Sequence, residues 1–458
     1  MTVLAQGRLS VEIAPLLKTK IPGPRSLELL ETQNRYETSS RSYTSFFNFA
    51  VDYGKGSTIV DVDGNTFIDW FGGVSVMNLG HGHPAVVNAL RSQLEKITHI
   101  TEIPTEARIG YLKTLNSVLP GKMRDNSKVL MTVTGADACE AAVSLARYVS
   151  KKQTIIAFTG SYHGIAGGIV GATSNYHYRD YAGYPAQNYV YAPYPYPYRF
   201  RRSSEGEDIS KEVIAGIREM ITDPDSGVPP VGGIIVEPIQ GEGGYIVPPD
   251  DFLPMLREVC DEFSIPLIVD EVQSGIGRTG KLWATEHQGV TPDIMCISKS
   301  IGGGIPISSV VYRKEYDNLP KAFHLGTYRG NPLGLAAGKV ILDIVKEEQF
   351  LERVRSKGRY LMKRFEEIKN RSKVIGEVRG KGYMIANEIV SDKQKKTPGT
   401  ELAGKVRERM FRNGVLMHTC GHYGNVMRFM APLTIEDDLL DKGLSIFEES
   451  VREAEAGL

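Results

Sequence analysis

A lysine closes one apolar run of this chain. Asp293-Ile-Met-Cys-Ile-Ser leads directly into Lys299, and three consecutive glycines follow at 302–304. Most lysines are solvated. An amine at the end of a buried strand is desolvated instead, which lowers its pKa and permits imine formation with a carbonyl. Glycines beyond it let the backbone approach a flat ring closely. A second apolar run, Pro266–Asp270, ends in two adjacent carboxylates, Asp270 and Glu271. Burying them requires cationic partners. A protonated pyridine nitrogen is one such partner, and a ring kept protonated by Asp270 is an electron sink. Loop capping or a metal would use the same residue types.

Two further segments share this position after a strand. In Thr132-Val-Thr-Gly-Ala-Asp-Ala-Cys-Glu140 a strand enters a small-residue turn and then an alanine-rich helix. Thr134 and Asp137 have capping-box spacing, which fixes the helix start. Free amides at Gly135, Ala136 and Asp137 suit a phosphate, and a plain strand-to-helix turn accounts for them equally. Gly160-Ser-Tyr162-His163-Gly164 puts an aromatic ring where it could stack on a cofactor. A core tyrosine beside a hydrogen-bonded histidine is the plain alternative. Three other patterns fall away. Gly275-Ile-Gly-Arg-Thr-Gly280 has dinucleotide-loop spacing, but it lies past its strand and opens no helix with an acidic residue about 20 positions on. His81-Gly-His83 lacks a third ligand nearby, and a glycine-bearing turn explains His418-Thr-Cys420-Gly-His422, so no metal is expected.

Holding such residues together takes a sheet. Apolar, β-branched runs occur at 128–133, 154–158, 233–237, 266–270, 294–298 and 307–312, and they suit strands buried on both faces. Helical periodicity falls between them, at 136–150, 209–221 and 252–263. This alternation predicts βαβ units, a mainly parallel sheet and an α/β fold. The proline-rich stretch Tyr189–Phe200 reads as an extended, polyproline-like loop. After Asn331-Pro332 the texture changes to long helices at 333–348 and 351–369, then strands at 374–378 and 383–388. The expected organisation is an N-terminal segment (1–60) joining a C-terminal α+β domain (331–458), with a large domain (61–330) between them.

Lys plus Arg and Asp plus Glu both number 54, so charge gives no argument for nucleic acid or anionic membrane as a partner. The four cysteines form no close pair and read as buried thiols of a reducing cytosol. No secretory signal and no apolar run of about 18 residues is visible, which makes a cytoplasmic protein the expectation.

Together these segments resemble the class III pyridoxal-phosphate (PLP) aminotransferases over essentially the whole chain. The resemblance rests on Asp61–Asp69, Asn78-Leu-Gly-His81, Thr134-Gly-Ala-Asp137 and Tyr162-His163-Gly164. It continues through Glu237-Pro-Ile-Gln-Gly-Glu242-Gly-Gly, Asp270-Glu-Val-Gln273, Ser298-Lys299 and Thr327-Tyr-Arg-Gly-Asn-Pro332, all in the family's order. It implies the PLP-transferase type I fold, with a large parallel-sheet domain and a smaller α+β domain. It implies that Lys299 carries PLP as a Schiff base and moves the substrate proton, and that Asp270 pairs with the ring nitrogen. Gln273 would lie near the ring hydroxyl, Tyr162 against the ring with His163 beside it, and Gly135 and Ala136 at the phosphate. Thr327 would reach the phosphate of a neighbouring subunit in a homodimer with shared sites.

On the substrate side the resemblance implies Arg428, Glu242 and Glu237. Arg428 matches an arginine that forks onto a substrate carboxylate. Glu242 matches the glutamate that pairs with that arginine in ω-amino-acid enzymes. Ile21-Pro-Gly-Pro-Arg-Ser26 is similar to the N-terminal region of 4-aminobutyrate aminotransferases. Ile165 departs from the arginine often found after Tyr-His-Gly in those enzymes. Tyr194–Arg199 looks more like diaminobutyrate aminotransferases and branched-chain epimerases. The expected activity is transfer from an ω-amino acid, 4-aminobutyrate foremost, to 2-oxoglutarate through pyridoxamine phosphate. A racemase or epimerase on the same scaffold is the alternative, as is a diaminobutyrate or ornithine aminotransferase. Related racemases carry aspartate where this chain has Glu242, which favours transfer.

Overall fold

A computed structural model of the chain describes residues 7–183, 188–200 and 208–457; the first six residues of the N-terminal stretch read above lie outside it. Two compact units form, one from Asn88 to Arg353, the other from the chain up to Val87 together with Val354 onward.

The larger unit is built on a seven-stranded sheet. Its strands are β1 (Ser127–Thr132), β2 (Thr154–Phe158), β3 (Tyr189–Ala192), β4 (Val231–Val236), β5 (Leu267–Asp270), β6 (Ile294–Ile297) and β7 (Ser308–Arg313). They lie in the order β1-β7-β6-β5-β4-β2-β3. All neighbours are parallel except at β7, which runs antiparallel to β1 and to β6. The helices that matter for the site are α1 (Glu106–Ser117), α2 (Gly135–Ser150), α3 (Ile209–Thr222), α4 (Phe252–Glu262) and α5 (Pro332–Val345).

Every run read as a strand is one, and the reason is visible in the packing. Consecutive residues of a strand point to opposite faces. Ile155, Ile235 and Ile268 accordingly join Ala138, Ala142 and Leu145 of α2 in one apolar cluster. Ile156, Val236 and Val269 join Ile217 of α3 and Phe252 of α4 in another. With both faces covered, neither residue of a pair can be polar. Each such side chain taken from water contributes about 1.5–3 kcal/mol.

Two features differ from the sequence reading. Tyr189–Ala192 is not a polyproline-like loop but an edge strand in parallel register with β2, Ile155 opposite Tyr189 and Phe158 opposite Ala192. The prolines begin only at Pro193, so the amides before them can still join the ladder. The helix that opens at Asn331 belongs to the larger unit: the Asn331 side chain caps α5, and α5 packs on α1. A cap marks where a helix begins, not which core it joins. Likewise residues 61–87 fall in the other unit.

The smaller unit holds two sheets and their helices. One sheet orders Val51–Lys55, Thr58–Asp61, Thr66–Asp69 and Val415–Leu416, and the other orders Ile375–Lys381, Met384–Asp392, Val426–Phe429 and His418–Cys420. Helices Pro24–Tyr36, Thr400–Arg412 and Asp437–Glu455 belong to it, as does most of Glu348–Arg371.

Candidate active site

Open α/β sheets bind ligands at the carboxyl ends of their parallel strands. In the larger unit these ends converge on one cavity of about 270 Å³, lined by Gly135, Ala136, Tyr162, His163, Glu237, Glu242, Asp270, Gln273 and Lys299 among others. The β1–α2 turn supplies Gly135 and Ala136. The turn after β2 supplies Tyr162 and His163, the end of β4 Glu237, the end of β5 Asp270, and the end of β6 Lys299.

The start of α2 is held from both sides. Thr134 accepts the Asp137 amide, as a capping residue does. The Asp137 carboxylate reaches one residue further back than a capping box requires, accepting the Val133 amide at 2.9 Å. The first amides of a helix have no acceptor within it, so those of Gly135 and Ala136 stay available at its positive end. Gly164, at φ +114°, lies so near that a Cβ there would collide with the Ala136 side chain. That close approach explains the glycine after Tyr162-His163.

Asp270 is 4% exposed. Its Oδ2 receives His163 Nδ1 at 2.8 Å and the Cys139 thiol at 3.3 Å, and its Oδ1 receives the Val272 amide at 2.9 Å. Burial alone would lower the pKa of His163. The bonds to Asp270 and Cys139, with the charges of Asp270 and Glu237, overcome this and push it up to about 10. His163 is therefore a buried cation paired with Asp270 at neutral pH. Burial pushes Glu237 up to about 7 against the pull of His163. The two Glu237 oxygens accept the Tyr162 amide at 3.2 Å and the Gly241 amide at 3.0 Å. In this geometry Glu237 ties two site loops together, while Glu242, lining the cavity, receives Gln273 Nε2 at 3.4 Å.

Lys299 is half-buried, with φ at +52°. A lysine gains nothing from that conformation, which costs of order 1–2 kcal/mol, and such strain concentrates at functional positions.

The remaining expected residues lie elsewhere. Thr327 lines a second cavity of the larger unit with Arg108, Tyr312 and His324. Arg428 is on the Val426–Phe429 strand of the smaller unit, 2% exposed. His418 is packed among Tyr43, Phe46, Phe47 and Phe71, and Gly275–Gly280 forms turns rather than a helix start.

Among the residues of the cavity wall that sequence reasoning missed are Val272 and Cys139. Both carried a signal. Val272 lies two residues beyond Asp270, in the turn that closes on the carboxylate through the Val272 amide. Cys139 lies four residues beyond Gly135, on the same face of α2.

Two observations test whether these residues fit the PLP that the sequence resemblance implies. Gln273 Oε1 is buried without a hydrogen-bond partner, beside the cavity, an atom a ring hydroxyl would satisfy. At Gly135 a Cβ would meet Val272 Cγ1 at 2.9 Å, so only glycine lets the start of α2 close on that cavity residue while keeping its own backbone uncovered. The residues fit.

Comparison with known proteins agrees. The family model described as aminotransferase class-III matches residues 38–451. A diaminobutyrate–2-oxoglutarate aminotransferase of Rhizobium meliloti is 35% identical, covering 90% of each chain. A 5-aminovalerate aminotransferase of Pseudomonas putida is 37% identical over 92% of this chain and 97% of its own. An alanine/serine racemase of Pyrococcus horikoshii is 35% identical over 97% of this chain and 94% of its own. Among solved structures, an amine transaminase from an uncultivated Pseudomonas species in PLP-bound form superposes with a TM-score of 0.82 at 28% identity, covering 92% of this chain and 98% of that one.

Proposed function

The chain belongs to the class III aminotransferases, which depend on PLP, and from that premise we propose that it transfers the terminal amino group of an ω-amino acid, 4-aminobutyrate foremost, to 2-oxoglutarate. The observation that carries this is Glu242, which lines the cavity and which the sequence resemblance matches to the glutamate that pairs with the carboxylate-binding arginine in ω-amino-acid enzymes. The 5-aminovalerate relative supports it, since that donor differs from 4-aminobutyrate by one methylene.

PLP, when bound, supplies the electron sink and holds the amino group between the two half-reactions. The protein's share is positional and acid–base. Gly135 and Ala136 would hold the phosphate through their amides. Tyr162 would lie against the ring, and Gln273 near its hydroxyl. Asp270 would keep the ring nitrogen protonated. Lys299 would bind the cofactor and serve as the acid–base group for the substrate proton. Arg428 receives the carboxylate of the 2-oxo acid as a bidentate fork. Thr327, set apart from the cavity and flanked by the exposed side chains of Leu325 and Tyr328, serves the phosphate site of a second copy in a homodimer. Among the described residues no helix is long and apolar enough to cross a membrane, and the enzyme is proposed to work in the cytoplasm.

A single-turnover absorbance experiment tests the donor. Loaded enzyme is mixed with 4-aminobutyrate and no oxo acid. The cofactor spectrum is expected to convert to its amine form and to return on adding 2-oxoglutarate. A second reading, racemization of aliphatic amino acids, draws on the alanine/serine racemase relative. It predicts no conversion with 4-aminobutyrate and rapid deuterium exchange at the α-carbon of alanine, with Glu242 as second base.

Arg428 has its own test. Arg428→Lys keeps the charge but loses the fork. The KM for 2-oxoglutarate is expected to rise roughly 10- to 100-fold, with the 4-aminobutyrate half-reaction little changed. Equal losses in both half-reactions would remove the assignment.

A further inference from the structure

Asp270 is held by more than the histidine beside it. Cys139 is fully buried, one turn into α2, and its thiol lies 3.3 Å from the oxygen of Asp270 that also receives His163. Sγ, the His163 ring nitrogen and the carboxylate oxygen are all within 4.8 Å of one another. Behind this group Cys296 on β6 stands opposite Asp270 in the sheet. The neighbouring Cys296, burial and the negative charge of Asp270 hold the Cys139 thiol well above its usual range. It therefore remains S–H, and its geometry directs that hydrogen to Asp270 Oδ2.

A count of lone pairs gives this a consequence. An ionised carboxylate offers about four acceptor positions, two on each oxygen. Oδ2 has both filled, by His163 Nδ1 and Cys139 Sγ, and Oδ1 has one filled, by the Val272 amide. One position remains, on Oδ1. With only the histidine on Oδ2, two positions would compete for the ring nitrogen's proton and the carboxylate could turn about its bond to Cβ. α2 thus serves the cavity twice. Its first amides lie at the phosphate end, and Cys139, on the same face one turn later, sets the carboxylate at the ring end.

We propose that Cys139 is a positioning residue for Asp270, its thiol occupying Oδ2 so that a single acceptor position on Oδ1 is left for the nitrogen of bound PLP. The inference rests on Asp270 facing that nitrogen, so the experiment includes a control for that premise.

Full-length enzyme loaded with pyridoxal phosphate is dialysed to equilibrium, and the dissociation constant of the cofactor and its visible circular dichroism are recorded. Wild type is compared with Cys139→Ala, Cys139→Ser and Asp270→Asn. Cys139→Ala is expected to weaken cofactor binding roughly tenfold, the worth of one modest hydrogen bond to a charged acceptor, and to change the dichroism of the bound ring. It should lower kcat with little change in KM for the amino donor. Cys139→Ser, which restores an O–H donor, should recover most of the affinity and the dichroism. Asp270→Asn should lose more affinity than either. The proposal fails if Cys139→Ala binds the cofactor within about twofold of wild type while Asp270→Asn does not. It fails equally if Ala and Ser lose the same amount, because the thiol would then be packing alone. If Asp270→Asn keeps wild-type affinity, the premise itself falls, and Cys139 with it.

Discussion

Lys299→Ala is expected to abolish turnover, a fall of roughly 10⁴-fold or more, because in the proposed mechanism one side chain both binds the cofactor and carries the proton. Among the described residues lining the cavity, Lys299 is the only amine, so no neighbour can take over either task. The cofactor should no longer remain attached after borohydride reduction and denaturation, a readout independent of activity. The fold should survive. Lysine and alanine both carry a Cβ, so the strain at φ +52° is the same in each, and a half-buried side chain is lost rather than a core one. Lys299→Gly separates chemistry from strain: it should be as inactive as the alanine variant, yet more stable than it by about 1 kcal/mol, since glycine tolerates positive φ. Substantial turnover in the alanine variant, or a reducible cofactor link that persists in it, would place the chemistry on another residue.

Most of the cavity was legible in the sequence because it is built from chain ends of strands. An apolar run that stops at Asp270 or Lys299 is a local pattern, and parallel strands bring such ends side by side whatever their spacing in the chain. The sheet was legible for the same reason, since strands with both faces covered must read as continuous apolar runs. What escaped depends on the third dimension. The reversed direction of β7 leaves no mark, because Ser308–Arg313 reads the same whether it pairs parallel or antiparallel. Tyr189–Ala192 was masked by the prolines that follow it. In the smaller unit the strand Thr66–Asp69 pairs with Val415–Leu416, more than three hundred positions away, and no local periodicity announces such a partner. Cys139 was visible as a residue on the right helical face, but its meaning came only when Asp270 was found against it. Glu237 shows the converse. Its motif marks it as a site residue, while its geometry, with both oxygens on backbone amides, makes it an anchor for the Tyr162 and Glu242 loops.

The second large effect is expected at Asp270, where Asp270→Asn changes charge with almost no change in shape. Two consequences follow from one atom. In the proposed mechanism the ring nitrogen would lose the anion that keeps it protonated, and kcat should fall by roughly 10²- to 10³-fold, the scale of a lost preorganised electrostatic contact. In the protein itself His163 loses its partner, and leaving one member of a buried ion pair alone typically costs about 3–5 kcal/mol. The imidazolium escapes part of that cost by giving up its proton, which makes the change measurable by pH. In the wild type the His163 pKa stands at about 10 against an ordinary 6.5, so the folded protein holds its proton more tightly than the unfolded chain. That stabilisation is fully present below about pH 6.5 and is lost as pH rises through 10. Without the aspartate, burial dominates and the histidine is neutral at neutral pH. Denaturant titrations of the cofactor-free protein between pH 6.5 and 10 should therefore show stability falling with pH in the wild type and a much flatter profile in Asp270→Asn. Parallel profiles would mean that His163 is not the charged partner of Asp270, and the electrostatic account of this site would have to be rebuilt around a neutral imidazole.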